Sequence, residues 1–275
     1  MMQHFTTSDG LSLAFEDQGS GPAGLCLAGL TRSHHDFDEL VAALPDVRMI
    51  RMDYRGRGSS DFDPNPMNYS IPVEARDALE LLDHLGLEKA AIIGSSRGGV
   101  IAMFLAAIAH HRVSGVLLND VGPVLNKADL GCIVSYVGQD PPYRDYDEAL
   151  QLYPSAMIGF ANVSQARWAT EVRRLFAQTD QGLKIRYDPQ LQLSVEAAFK
   201  GPDVDLWPLF DAMTGLPLAL LRGANSSLLT EETAAEMRRR RPDMLFANVP
   251  DRAHIPFLDE PECLAIITAF LERIK

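Results

Sequence analysis

The sequence is short of cysteine, short of cationic charge and without long apolar runs, and each shortage excludes a class of protein. Three cysteines, Cys26, Cys132 and Cys263, are an odd number with no metal-like spacing, and Cys26 sits inside an apolar run. Reduced, structural thiols are expected in place of a disulfide framework. Lys and Arg number 25 against 37 Asp and Glu, a formal charge of −12. Nucleic acid is a poor partner for such a chain, because phosphate binding needs clustered cations. The one basic run, residues 238–241, follows helix-forming residues and reads as a last helical turn, where cations suit the dipole. No basic leader precedes an apolar stretch at the N-terminus, and no window reaches membrane-spanning length without charge or proline. The expectation is a cytoplasmic protein with no membrane partner. Also missing are a Gly-x-Gly-x-x-Gly after a strand, a His-Glu-x-x-His and the Lys-Ser/Thr of a phosphate loop, so no cofactor and no metal are expected.

What is present is the composition of a soluble globular protein: 275 residues, 47% hydrophobic and 23% charged. That length suits one large domain with an insertion better than two domains and a linker. Short β-rich runs alternate with amphipathic helical segments, the pattern of a mainly parallel sheet covered by helices. Candidate strands are 5–7, 11–16, 25–28, 47–52, 90–93, 113–118, 216–221 and 245–249. The first two flank Ser8-Asp9-Gly10, a hairpin turn signal. Helical spacing runs through 35–44, 72–85, 97–110, 230–240 and 261–273. In the second of these, Ala75, Leu79, Leu82 and Leu85 form one stripe, with Glu74, Asp77, Glu80 and Asp83 expected on the side turned away. About residues 124–210 the alternation stops. That stretch shows no convincing strand, is rich in Tyr, Trp, Met and Phe, and carries helical segments at 145–159, 164–178 and 189–199. It reads as a helical cap (lid) inserted into a core formed by 1–123 and 211–275.

The chemistry concentrates in a few places. Residues 90–99 read Ala-Ala-Ile-Ile-Gly-Ser-Ser-Arg-Gly-Gly, a buried strand entering Gly-x-Ser-x-Gly and then a helix. In that context the motif is a nucleophile elbow, which lifts the Ser96 oxygen above the sheet with a helix N-terminus behind it. His254 lies in a loop after the last strand, from which it can reach back over the carboxyl edge of the sheet as a base. His34 and His35 either line the pocket or cap the first helix; His110 and His111 close a helix and read as structural. An oxyanion hole needs two backbone donors. Arg97, following the nucleophile, supplies one, and Leu30, in the loop after the third strand, is placed to supply the other.

These residues together resemble the α/β-hydrolase superfamily, and the resemblance covers nearly the whole chain. Besides the elbow, Asp53-Tyr-Arg-Gly-Arg-Gly-Ser-Ser60 resembles the Asp-x-Arg-Gly-x-Gly-x-Ser loop common after the fourth strand of that fold. Residues 118–123 and 257–261 are similar to segments of capped members related to meta-cleavage-product hydrolases and esterases. The resemblance implies a mostly parallel eight-stranded sheet flanked by helices, with an inserted helical cap. There are two departures. The loop after the third strand reads Ala28-Gly29 where relatives have His-Gly or Pro-Gly, which leaves the backbone donor intact. After the seventh strand the chain reads Gly223-Ala-Asn-Ser-Ser227 where many relatives carry an acid, so Ser227 occupies the usual acid position. The superfamily offers a second acid location at the end of the sixth strand, where Asp120 stands; the competing reading is a turn aspartate holding the 119–123 bend. Ser96, Asp120 and His254 keep the chain order of serine, acid and histidine.

The expected activity is serine hydrolysis of a carboxylic ester or similar acyl bond in a small, partly apolar substrate, through an acyl-enzyme. Two rivals share the scaffold: hydrolysis of carbon–carbon bonds of the meta-cleavage type, and a ligand-binding or degenerate member motivated by Ser227. The sequence leaves homodimerisation open.

Overall fold

Ser8, Asp9 and Gly10 turn the chain so that Thr7 N–H meets the Leu11 carbonyl at 2.9 Å, with Gly10 at φ 91°. This closes a hairpin between β1 (Gln3–Thr6) and β2 (Ser12–Gln18). The computed structural model describes residues 1–124, 127–202 and 204–274, with side chains left aside at 127–130. Residues 125, 126, 203 and 275, which fall within the expected core and cap ranges, lie outside it. After the hairpin come β3 (Ser20–Leu27), α1 (Asp38–Ala43), β4 (Val47–Met52), α2 (Ile71–His84), β5 (Ala90–Ser95), α3 (Arg97–Ile108) and β6 (Val113–Asn119). The middle of the chain forms α4 (Lys127–Tyr136), α5 (Tyr146–Ala156), α6 (Gln165–Leu175), β7 (Phe176–Thr179), β8 (Gly182–Ile185), α7 (Leu191–Lys200) and α8 (Trp207–Asp211). It ends with β9 (Leu218–Gly223), α9 (Glu231–Arg240), β10 (Leu245–Val249) and α10 (Pro261–Arg273).

Eight strands form one sheet in the order β1-β2-β4-β3-β5-β6-β9-β10. β1 and β2 enter antiparallel, and the pairings from β3–β4 to β9–β10 are parallel. Side chains alternate across the sheet with period two. Leu25, Leu27, Ile50, Ile92, Val116 and Leu220 pack on one face with Ala78 and Leu81 of α2, Ile101 and Leu105 of α3, and Met237 of α9. Cys26, Met49, Ile93, Leu117 and Leu221 pack on the other with Leu40 of α1 and Ile267 and Phe270 of α10. Every strand expected from the sequence is present; the seventh begins two residues later, after Pro217.

Two sequence expectations fail. The helix expected over 164–178 stops at Leu175, and β7 and β8 form a hairpin closed by the 179–182 turn, with Gly182 at φ 113°. Four-residue strands are too short to show a period, and Phe176 and Ala177 continue the helical spacing, which is why this pair was invisible. In α2, Glu74 and Asp77 are not turned to solvent but fully buried. Two arginines from the 53–60 loop meet them: Arg55 bonds Asp77 and Arg57 bonds Glu74. A helix face that looks polar in sequence is here a buried ionic seam, since buried carboxylates demand a partner.

Between β6 and β9, which are direct neighbours, the chain leaves the sheet and packs over its carboxyl edge. Arg32 after β3 bonds Glu171 of α6 at 2.5 Å, Arg174 bonds Glu39 at 2.8 Å, and Arg167 bonds Asp259 at 2.8 Å. Tyr69 donates to Asp188, and the backbones at Arg57 and Tyr187 form a bridge. α8 sits apart from this roof, with Phe210 buried in the α2–α3 side of the core. Among the described residues, no helix is long and apolar enough to cross a membrane.

Candidate active site

The turn from β5 to α3 is sharp enough that only glycine fits beside it. A Cβ on Gly98 would lie 2.0 Å from the Leu27 carbonyl oxygen, and one on Gly94 would lie 2.5 Å from the Gly98 carbonyl. Between them Ser96 has φ 51°, ψ −113°, a left-handed conformation that serine rarely adopts. Its N–H bonds the Asn119 carbonyl at 3.0 Å, and its own carbonyl caps the first turn of α3 through the Gly99 and Val100 amides. The strain is held by strands and helix on both sides, and it presents Oγ at the sheet edge.

Asp120 directly follows β6, also at positive φ (54°), and is completely buried. Its N–H bonds the Leu221 carbonyl at 2.8 Å. Its Oδ1 accepts from Gly223 N–H at 2.8 Å, and its Oδ2 accepts from Ser226 Oγ at 2.6 Å. His254, in the loop after β10, places Nδ1 2.8 Å from Asp120 Oδ2 and Nε2 2.9 Å from Ser96 Oγ. An ionised carboxylate only accepts, so Nδ1 carries the proton and Nε2 of the neutral ring accepts from the serine hydroxyl. Three residues from the ends of three parallel strands thus form one hydrogen-bonded line. Asn119 braces it from below, its side-chain amide donating to Ser95 Oγ and to the Pro256 carbonyl, each at 3.1 Å.

Ser227 is exposed. Its neighbour Ser226, which sequence reasoning passed over, is the one that reaches the buried carboxylate. The signal was the serine pair at the usual acid position, but which of the two points inward depends on the turn after β9.

The loop after β3 brings Leu30 beside the elbow. Gly98 N–H and the Tyr54 hydroxyl both donate to the Ala28 carbonyl, at 3.1 and 3.2 Å, and Arg57 Nε donates to the Leu30 carbonyl at 2.9 Å. Among the described residues, neither the Leu30 nor the Arg97 backbone N–H has a protein acceptor. His34 is buried, its ring and its N–H both on Asp53, so it holds the 53–60 loop; His35 is exposed and pairs with Asp38. Both also line a cavity of about 60 Å³ with Arg32, Arg174 and Arg186. His110 and His111 form a single turn between α3 and the start of β6, the end of that strand opposite to Asp120.

The roof over the edge is aromatic. Phe257, three residues after His254, stacks with Phe160 and Trp168 at 5.5 and 6.2 Å between ring centroids, and the Arg167 and Arg252 guanidiniums lie 4.1 and 5.1 Å from its ring centroid. Arg32, Arg167, Glu171 and Phe257 line a small void of about 10 Å³ beside Ser95. Glu171 is held below its ordinary pKa: burial opposes ionisation, and the Arg32 and Arg167 guanidiniums outweigh it. Among the described residues, no group of three or more His, Cys, Asp or Glu side chains could hold a metal ion.

Residues 25–261 match the family model of the α/β-hydrolase fold. The chain belongs to the α/β-hydrolase family. This α/β hydrolase is similar to the 3-hydroxybutyrate-oligomer hydrolase of Cupriavidus necator, at 33% identity over 90% of this chain and 87% of that one. It is also similar to the 2-(acetamidomethylene)succinate hydrolase of Mesorhizobium japonicum, at 26% identity over 95% of this chain and 92% of that one. Among solved structures, an α/β hydrolase from Novosphingobium aromaticivorans superposes with a TM-score of 0.92 at 36% identity, covering 99% of this chain and 98% of the other. The two curated relatives share the hydrolase name and differ in the substrate it specifies.

Proposed function

We infer that the protein is a serine hydrolase that cleaves the carboxylic ester of a small, partly apolar molecule through an acyl-enzyme. The observation that carries this reading is the line from Ser96 Oγ through His254 to the buried Asp120 carboxylate. His254 Nε2 takes the Ser96 proton as Oγ attacks the ester carbonyl, and Asp120 holds the ring in the tautomer that can do so. The negative charge on the tetrahedral oxygen falls to the Leu30 and Arg97 amides. His254 then protonates the leaving alcohol, and in the second half deprotonates a water that releases the acid. The segment between β6 and β9 serves as the cap, its Phe160 and Trp168 meeting Phe257 of the loop after β10 to offer the apolar wall.

Similarity to the 3-hydroxybutyrate-oligomer hydrolase supports an ester as the bond and short oligoesters of hydroxy acids as the first substrates to try. Carbon–carbon hydrolysis would use the same three residues, and no contact in the site favours it over the ester. Intact-mass analysis after fluorophosphonate treatment, with Ser96→Ala as control, tests the reading. One adduct per chain that disappears in the control is expected. A folded protein that takes up no adduct sinks the acyl-enzyme and leaves a binding role.

A further inference from the structure

We propose that Glu74 is a positioning residue that ties the two donors of the oxyanion hole to one another. The inference rests on the acyl-transfer reading above. Glu74 lies in the first turn of α2, is wholly buried, and gives each carboxylate oxygen to a different arginine. Oε1 accepts from Arg57 Nη1 at 2.8 Å, and Oε2 accepts from Arg97 Nε at 2.6 Å. Those two arginines belong to the two sides of the hole.

Arg97 is itself the donor residue after the nucleophile, and its Nη2 also bonds the Tyr69 carbonyl at 3.1 Å. Arg57 acts on the other side through its Nε bond to the Leu30 carbonyl. The peptide that carries the Leu30 N–H is therefore pinned from both ends. The Ala28 carbonyl before it is held by Gly98 N–H and Tyr54, and the Leu30 carbonyl after it is held by Arg57. Tyr54 and Tyr69 flank the Arg57 guanidinium at 5.6 and 5.3 Å, and Gly56 at φ 73° brings the loop against Tyr69, where no Cβ would fit.

Two features show that this is more than neutralisation of a buried charge. The cluster holds two guanidiniums to one carboxylate, where neutralising a single buried carboxylate would need only one of them. A side chain placed only to neutralise Arg57 could give it both oxygens as a bidentate pair. Glu74 instead spends its second oxygen across the gap on Arg97. A carboxylate of this reach sets the separation of the two loops, and oxyanion donors act only when they are in place before the charge appears.

The test compares Glu74→Asp, whose shorter side chain cannot span both guanidiniums, with Arg97→Gln, which keeps the backbone donor and leaves Glu74 on Arg57. Active sites are titrated with fluorophosphonate, so that turnover of p-nitrophenyl butyrate is expressed per functional site and misfolded chains drop out. For each variant kcat should fall about 10- to 100-fold while KM stays within about twofold, because only the transition state uses the hole. The Ki of a trifluoromethyl ketone, whose adduct places an oxyanion in the hole, should rise by the same factor as kcat/KM falls. A kcat per site within twofold of the parent in Arg97→Gln overturns the proposal, and so does a loss confined to KM. Should Glu74→Asp fail to fold, Arg97→Gln, at a side chain 15% exposed, decides alone. A parent protein that takes up no fluorophosphonate removes the acyl-transfer reading and this inference with it; a parent that is labelled beside an unaffected Arg97→Gln removes only the inference.

Discussion

Replacing Asp120 by asparagine isolates one proton. The backbone should not move, because asparagine tolerates the left-handed conformation at φ 54° as readily as aspartate does. The hydrogen bonds must change, however. Asp120 Oδ1 accepts from Gly223 N–H, and Oδ2 accepts from both Ser226 and His254. If the new amide NH₂ takes the Oδ1 site, two donors face each other at 2.8 Å. It therefore takes the Oδ2 site, where the Ser226 oxygen can accept. His254 Nδ1 must then accept as well, which moves the ring proton to Nε2, facing Ser96. A histidine in that tautomer cannot take the serine proton, and the expected loss is on the order of 10⁴ in kcat, about 5.5 kcal/mol of transition-state stabilisation. The assay is turnover of an activated ester across pH, with folding checked by thermal melting. Ser227→Asp in the parent should change turnover by less than about twofold, its side chain being exposed at the mouth of the turn. Less than a tenfold loss in Asp120→Asn, or a large gain from Ser227→Asp, would refute the assignment of the acid.

Further outcomes follow from the same contacts. Gly98→Ala drives a methyl to 2.0 Å from the Leu27 carbonyl oxygen, so it should cost about 3 kcal/mol or more in chemical denaturation; a near-neutral effect would mean the elbow can shift. In a thiol titration of the native protein at pH 8, one equivalent should react, at exposed Cys132. Burial pushes the Cys26 thiol up to about 12, leaving a thiolate fraction of about 10⁻⁴, and pushes Cys263 up as well, so all three should react only after unfolding. Because the Glu171 pKa is lower folded than unfolded, the stability it contributes is fully present above its ordinary value of 4.5 and is lost as pH falls through the folded value. Limited proteolysis between β6 and β9 should quicken below that pH, and Glu171→Gln should be cut faster than the parent at pH 7; equal rates at pH 7 would show that the roof is held by other contacts.

Much of the site was legible because it is local. An elbow needs glycines at fixed offsets from its serine, and Gly94 and Gly98 stand there with no room for any larger residue. The chain order of Ser96, Asp120 and His254 follows from parallel strands, which bring the ends of β5, β6 and β10 to one edge. Less legible was anything that depends on a partner distant in the chain. Glu74 looked like solvent-facing charge because a helical period reports a face, and the arginine that meets it comes from 17 residues away in a loop. Ser226 and Ser227 are indistinguishable by type, and the turn after β9 decides which one bonds Asp120.

The sequence by itself determined the eight strands, the main helices, the elbow that carries Ser96 and the loop that carries His254, since periodicity and turn chemistry act between residues close in the chain. Tertiary structure decided the hydrogen bonds of Asp120, the burial of Glu74 and Asp77 against the arginines of the 53–60 loop, and the β7–β8 hairpin in the roof. Those features rest on charge pairing and steric fit between segments that meet only once the sheet has assembled, and no local pattern records which buried charge will find which partner.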